Sequence, residues 1–297
     1  MTRPTLLQAL RAGEFIVAPG VHDMIAASVF NTSKLQFAYA SGYWMTASAY
    51  ALPDAGIVTY TQMVDRVRTL CRHIDGSVFA DADTGFGGLL NVHHTVIGYE
   101  EAGVTGIQIE DQEFPKKCGH TPFKRLIPTE DMVEKIKVAC AARKNPETAI
   151  IARTDARQSE GFEGALKRMQ AYSDAGADVL FVEALTSDDE MREACRRLNK
   201  PTMANMADGG LTPIRSAAEL KELGYNMAIY PAATGLAAAQ AARDVFTALE
   251  TEGTSQAPGV DLFSFKEFNS LIGFEEVWEF ERKWAGDPAA QTTGTQG

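Results

Sequence analysis

The stretch Glu101-Ala102-Gly103-Val104-Thr105-Gly106-Ile107-Gln108-Ile109-Glu110-Asp111 decides the architecture. It reads as the end of a helix, a glycine cap, a short strand over 106–110, and acids at the strand's C-terminal tip. Asp174-Ala175-Gly176-Ala177-Asp178 repeats the phrase of helix end, glycine and strand. Working outward, short and mostly apolar runs recur at 15–18, 37–40, 78–81, 106–110, 150–154, 179–182, 202–205 and 227–230. That is the composition of strands buried on both faces. Helical patterns lie between them at 60–74, 129–144, 161–175, 188–198 and 216–223, with Pro128-Thr129-Glu130-Asp131 reading as a helix start. Strand–helix units without a break in composition predict one α/β domain over 1–285, a closed (β/α)8 TIM-like barrel. A doubly wound sheet is the alternative.

Two segments stand outside the repeat. Residues 111–128 are long for a βα loop and read as a lid. Residues 264–284 follow a polar stretch at 253–259 and form a helical pattern rich in large apolar groups, among them Phe265, Phe268, Trp278 and Trp284. Such a helix needs a surface to cover, on its own barrel or on a neighbouring subunit. The tail 286–297 has the composition of a disordered segment.

Composition narrows the function classes. A net charge of −11 gives no support to a non-specific nucleic-acid binder, which needs basic patches. In an enzyme with an anionic substrate, that excess of acid calls for a divalent cation. The start Met1-Thr2-Arg3-Pro4 lacks the apolar core of a signal peptide, and no apolar run reaches transmembrane length. Cys71, Cys118, Cys140 and Cys195 form no C-x-x-C pair, which points to reduced thiols in the cytoplasm or an organellar matrix.

The chemistry-bearing residues gather after predicted strands. In Lys116-Lys117-Cys118-Gly119-His120 the lysines would favour a thiolate at Cys118. Either lysine could form a Schiff base or simply be solvated, and Cys118 with His120 supplies too few ligands for zinc. In Asp81-Ala82-Asp83-Thr84-Gly85-Phe86-Gly87 two carboxylates share a strand tip, hard oxygen donors that suit Mg²⁺. The alternative is a glycine-rich loop with solvated aspartates. Glu110, Glu183 and Asn205 also fall at strand ends. Arg153 would meet a carboxylate, either a ligand's or that of Glu183. Ser41, in Ser41-Gly42-Tyr43-Trp44, either receives a substrate carboxylate together with backbone N–H groups or caps a helix.

Taken together, Tyr39-Ala40-Ser41-Gly42, Asp81-Ala82-Asp83-Thr84-Gly85-Phe86-Gly87, Glu110-Asp111-Gln112, Lys116-Lys117-Cys118-Gly119-His120 and Ala152-Arg153-Thr154-Asp155 resemble the isocitrate lyase / phosphoenolpyruvate mutase superfamily, from about Ala9 to Trp284. The resemblance implies a modified (β/α)8 barrel whose C-terminal helix is exchanged with a partner subunit, within a homotetramer built as a dimer of swapped dimers. It implies Mg²⁺, for which Mn²⁺ could stand in, served by Asp81 and Asp83. The Lys-Lys-Cys-Gly-His motif resembles that of the carbon–carbon lyases, where it sits on a gating loop. By that analogy Cys118 is the general acid, with Lys116, His120, Glu110 and Arg153 as the other catalytic groups. Tyr39, Ser41, Gly42, Tyr43, Asp54, Gly119, Arg153, Glu183, Asn205 and Pro231 would bind the substrate.

Departures from the family pattern bear on the substrate. Tricarboxylate-cleaving members carry Ser or Thr where this chain has Ala207, and methylisocitrate lyases carry an arginine after the eighth strand, where 231–236 has none. Oxaloacetate hydrolases often have serine in place of Ala156. A third carboxylate would lack partners in a desolvated pocket. The expected reaction is cleavage of a substituted malate, such as 2,3-dimethylmalate, to pyruvate and propionate. The alternatives are a 2-methylisocitrate or isocitrate lyase, and an oxaloacetate hydrolase or decarboxylase.

Overall fold

The computed structural model describes residues 3–119, 121 and 124–285. His120 and the tail 286–297 therefore lie outside the described residues. The strands are β1 Ile16–Pro19, β2 Phe37–Ala40, β3 Ser77–Asp81, β4 Gly106–Glu110, β5 Ala149–Thr154, β6 Val179–Val182, β7 Met203–Asn205 and β8 Met227–Tyr230. The helices up to β4 are α1 Leu6–Arg11, α2 Met24–Phe30, α3 Gly42–Tyr50, α4 Tyr60–His73 and α5 Leu89–Ala102. Beyond it come α6 Thr129–Ala142, α7 Arg157–Asp174, α8 Asp188–Arg197, α9 Ala217–Leu223, α10 Ala233–Glu252, α11 Phe265–Leu271 and α12 Phe274–Trp284.

All strand pairs are parallel, in the orders β2-β3-β4-β5-β6 and β1-β8-β7. Parallel bridges join the two sheets at both seams, Gly20 to Tyr39 and Leu180 to Thr202. Across these seams the Val21 amide donates to the Tyr39 carbonyl and the Leu180 amide to the Pro201 carbonyl, both at 2.9 Å. Strand order thus follows chain order and returns on itself. A doubly wound sheet needs a switch in strand order, and none occurs among the described residues.

Side-chain parity positions the site. Phe37, Tyr39, Phe79, Ile151, Phe181 and Ile229 fill the barrel interior, closed below by Leu6 and Ala9 of α1. Their neighbours Ala38, Ala40, Val78, Ala80, Ile150 and Ala152 point the other way and pack beneath the helices. A Cβ on Gly106 would stand 2.9 Å from Leu6 Cδ2, so glycine lets α1 plug the bottom. Chemistry is left to the opposite, C-terminal end, as in other (β/α)8 barrels.

Element ends agree with the sequence reading to within a few residues, and the departures have local causes. Pro128 occupies the N-cap of α6 and Thr129 is its first helical residue, with no side-chain cap. Glu130 and Asp131 instead favour the helix start through the macrodipole. The predicted start at 161 is a kink inside α7, where Gly161 has φ 75°. The single helix expected over 264–284 is broken into α11 and α12 by Gly273 at φ 87°. Three of the cysteines are packing residues against helix-end glycines: a Cβ on Gly103, Gly176 or Gly224 would stand 3.3, 3.2 and 2.9 Å from Cys71, Cys140 and Cys195. Burial pushes the Cys71 thiol up to about 12 and the Cys195 thiol up to about 11.

The described residues fall into two compact units, divided between Ala237 and Ala238. The first holds the barrel. The second holds the later turns of α10 with α11 and α12, and exposes Phe246, Phe265, Phe280 and Trp284. Among the described residues no helix is long and apolar enough to cross a membrane.

The β1–β8 seam is tight. A Cβ on Gly20 would lie 2.3 Å from the Pro231 carbonyl oxygen, which is backbone and cannot rotate away. Gly20→Ala is expected to cost about 2 kcal/mol, read as a lower urea midpoint at unchanged slope. An unaltered midpoint would mean that the seam yields.

Candidate active site

The barrel mouth opens into a cavity of about 290 Å³ lined by strand tips and by residues 116, 118 and 119 of the long β4–α6 segment. Its floor is polar and hydrogen-bonded. Tyr39 Oη donates to Gln108 Oε1 at 3.1 Å, and Gln108 Nε2 reaches Asp81 Oδ1 at 3.4 Å. The amide of Asp83 donates to the same Asp81 oxygen at 3.0 Å. Asp83 adopts φ 49°, a left-handed conformation that aspartate accepts more readily than most residues. Donors behind the wall hold this turn: Tyr99 Oη to the Asp81 carbonyl (3.2 Å), Lys135 Nζ to that of Thr84 (2.8 Å) and Thr95 Oγ1 to that of Gly85 (3.2 Å).

Lys116 is buried, not solvated. Its Nζ lies 2.5 Å from Asp54 Oδ1 and 3.0 Å from Asp83 Oδ1. Burial opposes its charge, but Asp83, Asp54, Glu110 and Asp81 outweigh burial and hold its proton far above the usual lysine range. A lysine held this way favours the cation over the free amine that a Schiff base needs.

Arg153 sits across the cavity among protein acids. Its Nε and Nη2 donate to Asp155 at 3.0 Å each, and it lies 3.4 Å from both Glu110 and Glu183. Its guanidinium also stands 5.3 Å from the Phe181 ring centre. Burial would raise the Asp155 carboxyl, but Arg153 and Lys124 outweigh it and hold it at about 2. Glu110 is the opposite case: burial pushes it well above the carboxylate range, against the pull of Arg153 and Lys116. Glu183 accepts from Asn205 Nδ2 at 3.0 Å and from the Ala184 amide at 2.8 Å.

The segment after β4 leaves and rejoins the barrel on a short two-stranded root, and its Lys116, Cys118 and Gly119 line the mouth. Gln112 bridges to Leu126, the Glu113 amide donates to Arg125 and the Ile127 amide to Asp111. The Gln112 side chain clasps Lys117 from both sides, accepting its N–H at 2.9 Å and donating to its carbonyl at 2.8 Å. Cys118 lies between two cationic pegs, Lys116 in the Asp54–Asp83 pair and Lys124 Nζ on Asp155 at 2.8 Å. Gly119 rests directly on Arg153: a Cβ there would fall 2.1 Å from Nη2.

Ser41 stands at the N-cap of α3 but its side chain makes no capping bond, and it lines the cavity. Gly42 beneath it is required by the acids, since a Cβ would meet Asp81 Oδ2 at 2.9 Å and Asp83 Oδ1 at 3.2 Å. Above them Tyr43 and Trp44 pack at 5.3 Å, and Trp44 lies flat on Gly235, whose Cβ would be 2.2 Å from its ring. With Ile229, Pro231, Ala232 and Leu236, Trp44 makes one wall of the cavity apolar.

The residues present fit a hard divalent cation. Asp81 and Asp83 share one tip, and both oxygens of the neighbouring Glu110 are buried without a hydrogen bond. Among the described residues no three His, Cys, Asp or Glu side chains form a ready ligand set. The pair Asp81 and Asp83 would suit an ion that keeps one or two carboxylates and completes its shell with water and substrate.

The structure gathers every site residue named from the sequence and described here around one mouth. The correction concerns Asp111. It was read with Glu110 at the strand tip, but it turns outward, fully buried, to Thr154 and Tyr172. Asp155 and Gln112 stand in the family motifs without an assigned role, and Gln108 and Lys124 carry no expectation at all. Parity gave a signal for two of them, since Gln108 and Asp155 lie two residues from Glu110 and Arg153.

Comparison with known proteins agrees with this geometry. The family model described as phosphoenolpyruvate phosphomutase matches residues 7–250. The chain is 42% identical over 284 residues to the 2,3-dimethylmalate lyase of Eubacterium barkeri, covering 96% of this chain and 98% of that one. It is 40% identical over 278 residues to the 2-methylisocitrate lyase of Halalkalibacterium halodurans, covering 94% and 92%. Among solved structures, oxaloacetate acetylhydrolase in complex with 3,3-difluorooxalacetate superposes with a TM-score of 0.88 at 29% identity, over 95% of this chain and 97% of that one. Phosphonopyruvate hydrolase in complex with oxalate and Mg²⁺ superposes with a TM-score of 0.83 at 29% identity, over 93% and 96%. A family match that spans the barrel, with a relative 42% identical along nearly the whole length, shows that this chain belongs to the phosphoenolpyruvate phosphomutase family, within the isocitrate lyase / phosphoenolpyruvate mutase superfamily.

Proposed function

We propose that this chain is a Mg²⁺-dependent carbon–carbon lyase for an alkyl-substituted 2-hydroxy dicarboxylate, with 2,3-dimethylmalate cleaved to pyruvate and propionate. The observation that carries this reading is the cavity itself. Cys118, Asp81 and Arg153 line it together with the apolar side chains of Trp44, Ile229, Pro231, Ala232 and Leu236. The identity of 42% to a 2,3-dimethylmalate lyase supports the same substrate class.

Asp81 and Asp83, with Glu110 beside them, would hold the cation. When bound, Mg²⁺ supplies Lewis acidity toward the substrate's carboxylate and hydroxyl oxygens and offsets the surrounding acids. Ser41 and the first amides of α3 receive the carboxylate next to the hydroxyl carbon, where a helix N-terminus favours an anion. Arg153, steadied by Asp155, presents its guanidinium to a substrate oxygen. As the C2–C3 bond breaks, the hydroxyl proton leaves toward the carboxylate-lined floor and the Cys118 thiol delivers a proton to C3. The proton count is then unchanged between the hydroxy acid and its two products. Trp44 and Leu236 cover the methyl groups, and the segment that carries Cys118 keeps water from the carbanion.

A 2-methylisocitrate lyase is the second reading, favoured by the relative at 40% identity. Against it stands the lining of the cavity. Its cations among the described residues are Lys116 and Arg153, both already engaged by protein acids, and Ala207 and Leu236 offer a third carboxylate nothing. The exposed apolar side chains of the second unit support a homo-oligomer in which α11 and α12 pack on a partner subunit.

Purified protein is expected to release pyruvate from 2,3-dimethylmalate, to lose that activity in EDTA and to regain it with Mg²⁺. Faster cleavage of 2-methylisocitrate would favour the second reading, and oxaloacetate loss without any cleavage would favour a hydrolase. Cys118→Ser should lower turnover by about 10²-fold or more while leaving oxalate affinity and the melting temperature unchanged. Comparable turnover in the mutant would remove Cys118 from the mechanism. Deleting the residues after Gly259 should reduce the sedimenting mass to that of a smaller assembly. Native mass in the truncated chain would show that these helices pack within one subunit.

A further inference from the structure

Glu110 and Asp111 are consecutive acids at the end of β4, yet they serve opposite faces of the barrel wall. Glu110 turns into the mouth, whereas Asp111 is wholly buried behind it against α7. Asp111 Oδ2 accepts from Thr154 Oγ1 at 2.6 Å and from Tyr172 Oη at 2.8 Å, with Arg168 Nη1 3.4 Å away. Asp111 Oδ1 accepts from the amide of Asp155 at 3.0 Å. Asp155 in turn grips Arg153 with two bonds of 3.0 Å. An unbroken series of hydrogen bonds thus runs from α7 through the wall to the guanidinium in the cavity.

Stability alone does not account for this arrangement. Burying a carboxylate and its partners is costly, and an apolar pair would join β4 to α7 as well or better. What an apolar pair could not do is fix the peptide between Thr154 and Asp155, and with it the direction of the Asp155 carboxylate. Arg168 is itself held rigid by two bonds to Glu160, at 2.9 and 2.6 Å. It also donates to the Ile127 carbonyl at 2.9 Å, where the covering segment rejoins the barrel. The same guanidinium therefore secures the acid behind Arg153 and the root of the segment that closes over it.

We infer that Asp111 is a positioning residue: held by Arg168 and Tyr172 behind the wall, it sets Asp155 so that Arg153 faces the substrate in one orientation. The inference rests on the proposed function only for the kinetic half of its test.

The first readout is independent of catalysis. In full-length protein labelled with ¹⁵N-arginine, the Arg153 Nε–H resonance is identified by its loss in Arg153→Lys, and its hydrogen exchange is measured. In Asp111→Asn an amide presents its oxygen to one side only, so either the two hydroxyls or the Asp155 amide loses its acceptor. Exchange at Arg153 Nε–H is expected to accelerate by about tenfold or more. Thr154→Val, which removes the hydroxyl at similar volume, should do the same, whereas Thr154→Ser, which keeps it, should retain the original protection. In the kinetic half, Asp111→Asn should raise KM by about tenfold or more and lower kcat by a smaller factor. Unchanged exchange in both Asp111→Asn and Thr154→Val would overturn the inference. If Asp111→Asn does not fold, the contrast between Thr154→Val and Thr154→Ser decides it. A wild-type chain that cleaves no 2-hydroxy acid would defeat the proposed function, while the exchange measurement would still decide the role of Asp111.

Discussion

The mouth of this barrel depends on burying charge without stranding it. Lys116 and Arg153 lie almost wholly out of water, each among carboxylates supplied by different strand tips and loops. Removing one partner from such a cluster leaves an uncompensated charge and costs about 3–5 kcal/mol, several times the worth of an exposed pair. Lys116 therefore does more than neutralise acid. It fixes the covering segment two residues before Cys118, and Lys124 fixes it again on Asp155 beyond. The thiol reaches the cavity because its flanks are pinned by ion pairs.

Close approach is the second constraint. Gly42 lies under Asp81 and Asp83, Gly119 under the Arg153 guanidinium, and Gly235 under Trp44. None of these three has the positive φ that usually explains a glycine; each is there because a methyl group would collide with a working side chain. The apolar wall and the charged floor meet across a few ångströms because the backbone between them carries no side chain.

Much of this was legible in the sequence. Parallel strands buried on both faces read as short apolar runs, and eight of them with helical spacers leave few topologies other than a closed barrel. The end carrying chemistry followed from polar residues after each run, so Asp81, Asp83, Glu110, Arg153, Glu183 and Asn205 could be named before any coordinates. The weaker readings were those where periodicity is faint. The alanine-rich α10 has no clear apolar stripe, and α11 and α12 read as one helix because a single glycine hardly disturbs the pattern.

The sequence by itself determined the barrel and the inventory of reactive groups, because side-chain parity and strand polarity are local properties of the chain. Only the tertiary structure decided which groups work together. Consecutive acids at 110 and 111 face opposite sides of a wall, and Lys116, whose partners the sequence left open, is locked between Asp54 and Asp83. Asp155, present in a sequence motif but without a role there, holds both Arg153 and Lys124. Such partnerships join residues tens of positions apart, and their strength comes from the exclusion of water, which exists only once the barrel has closed and the segment over its mouth has settled.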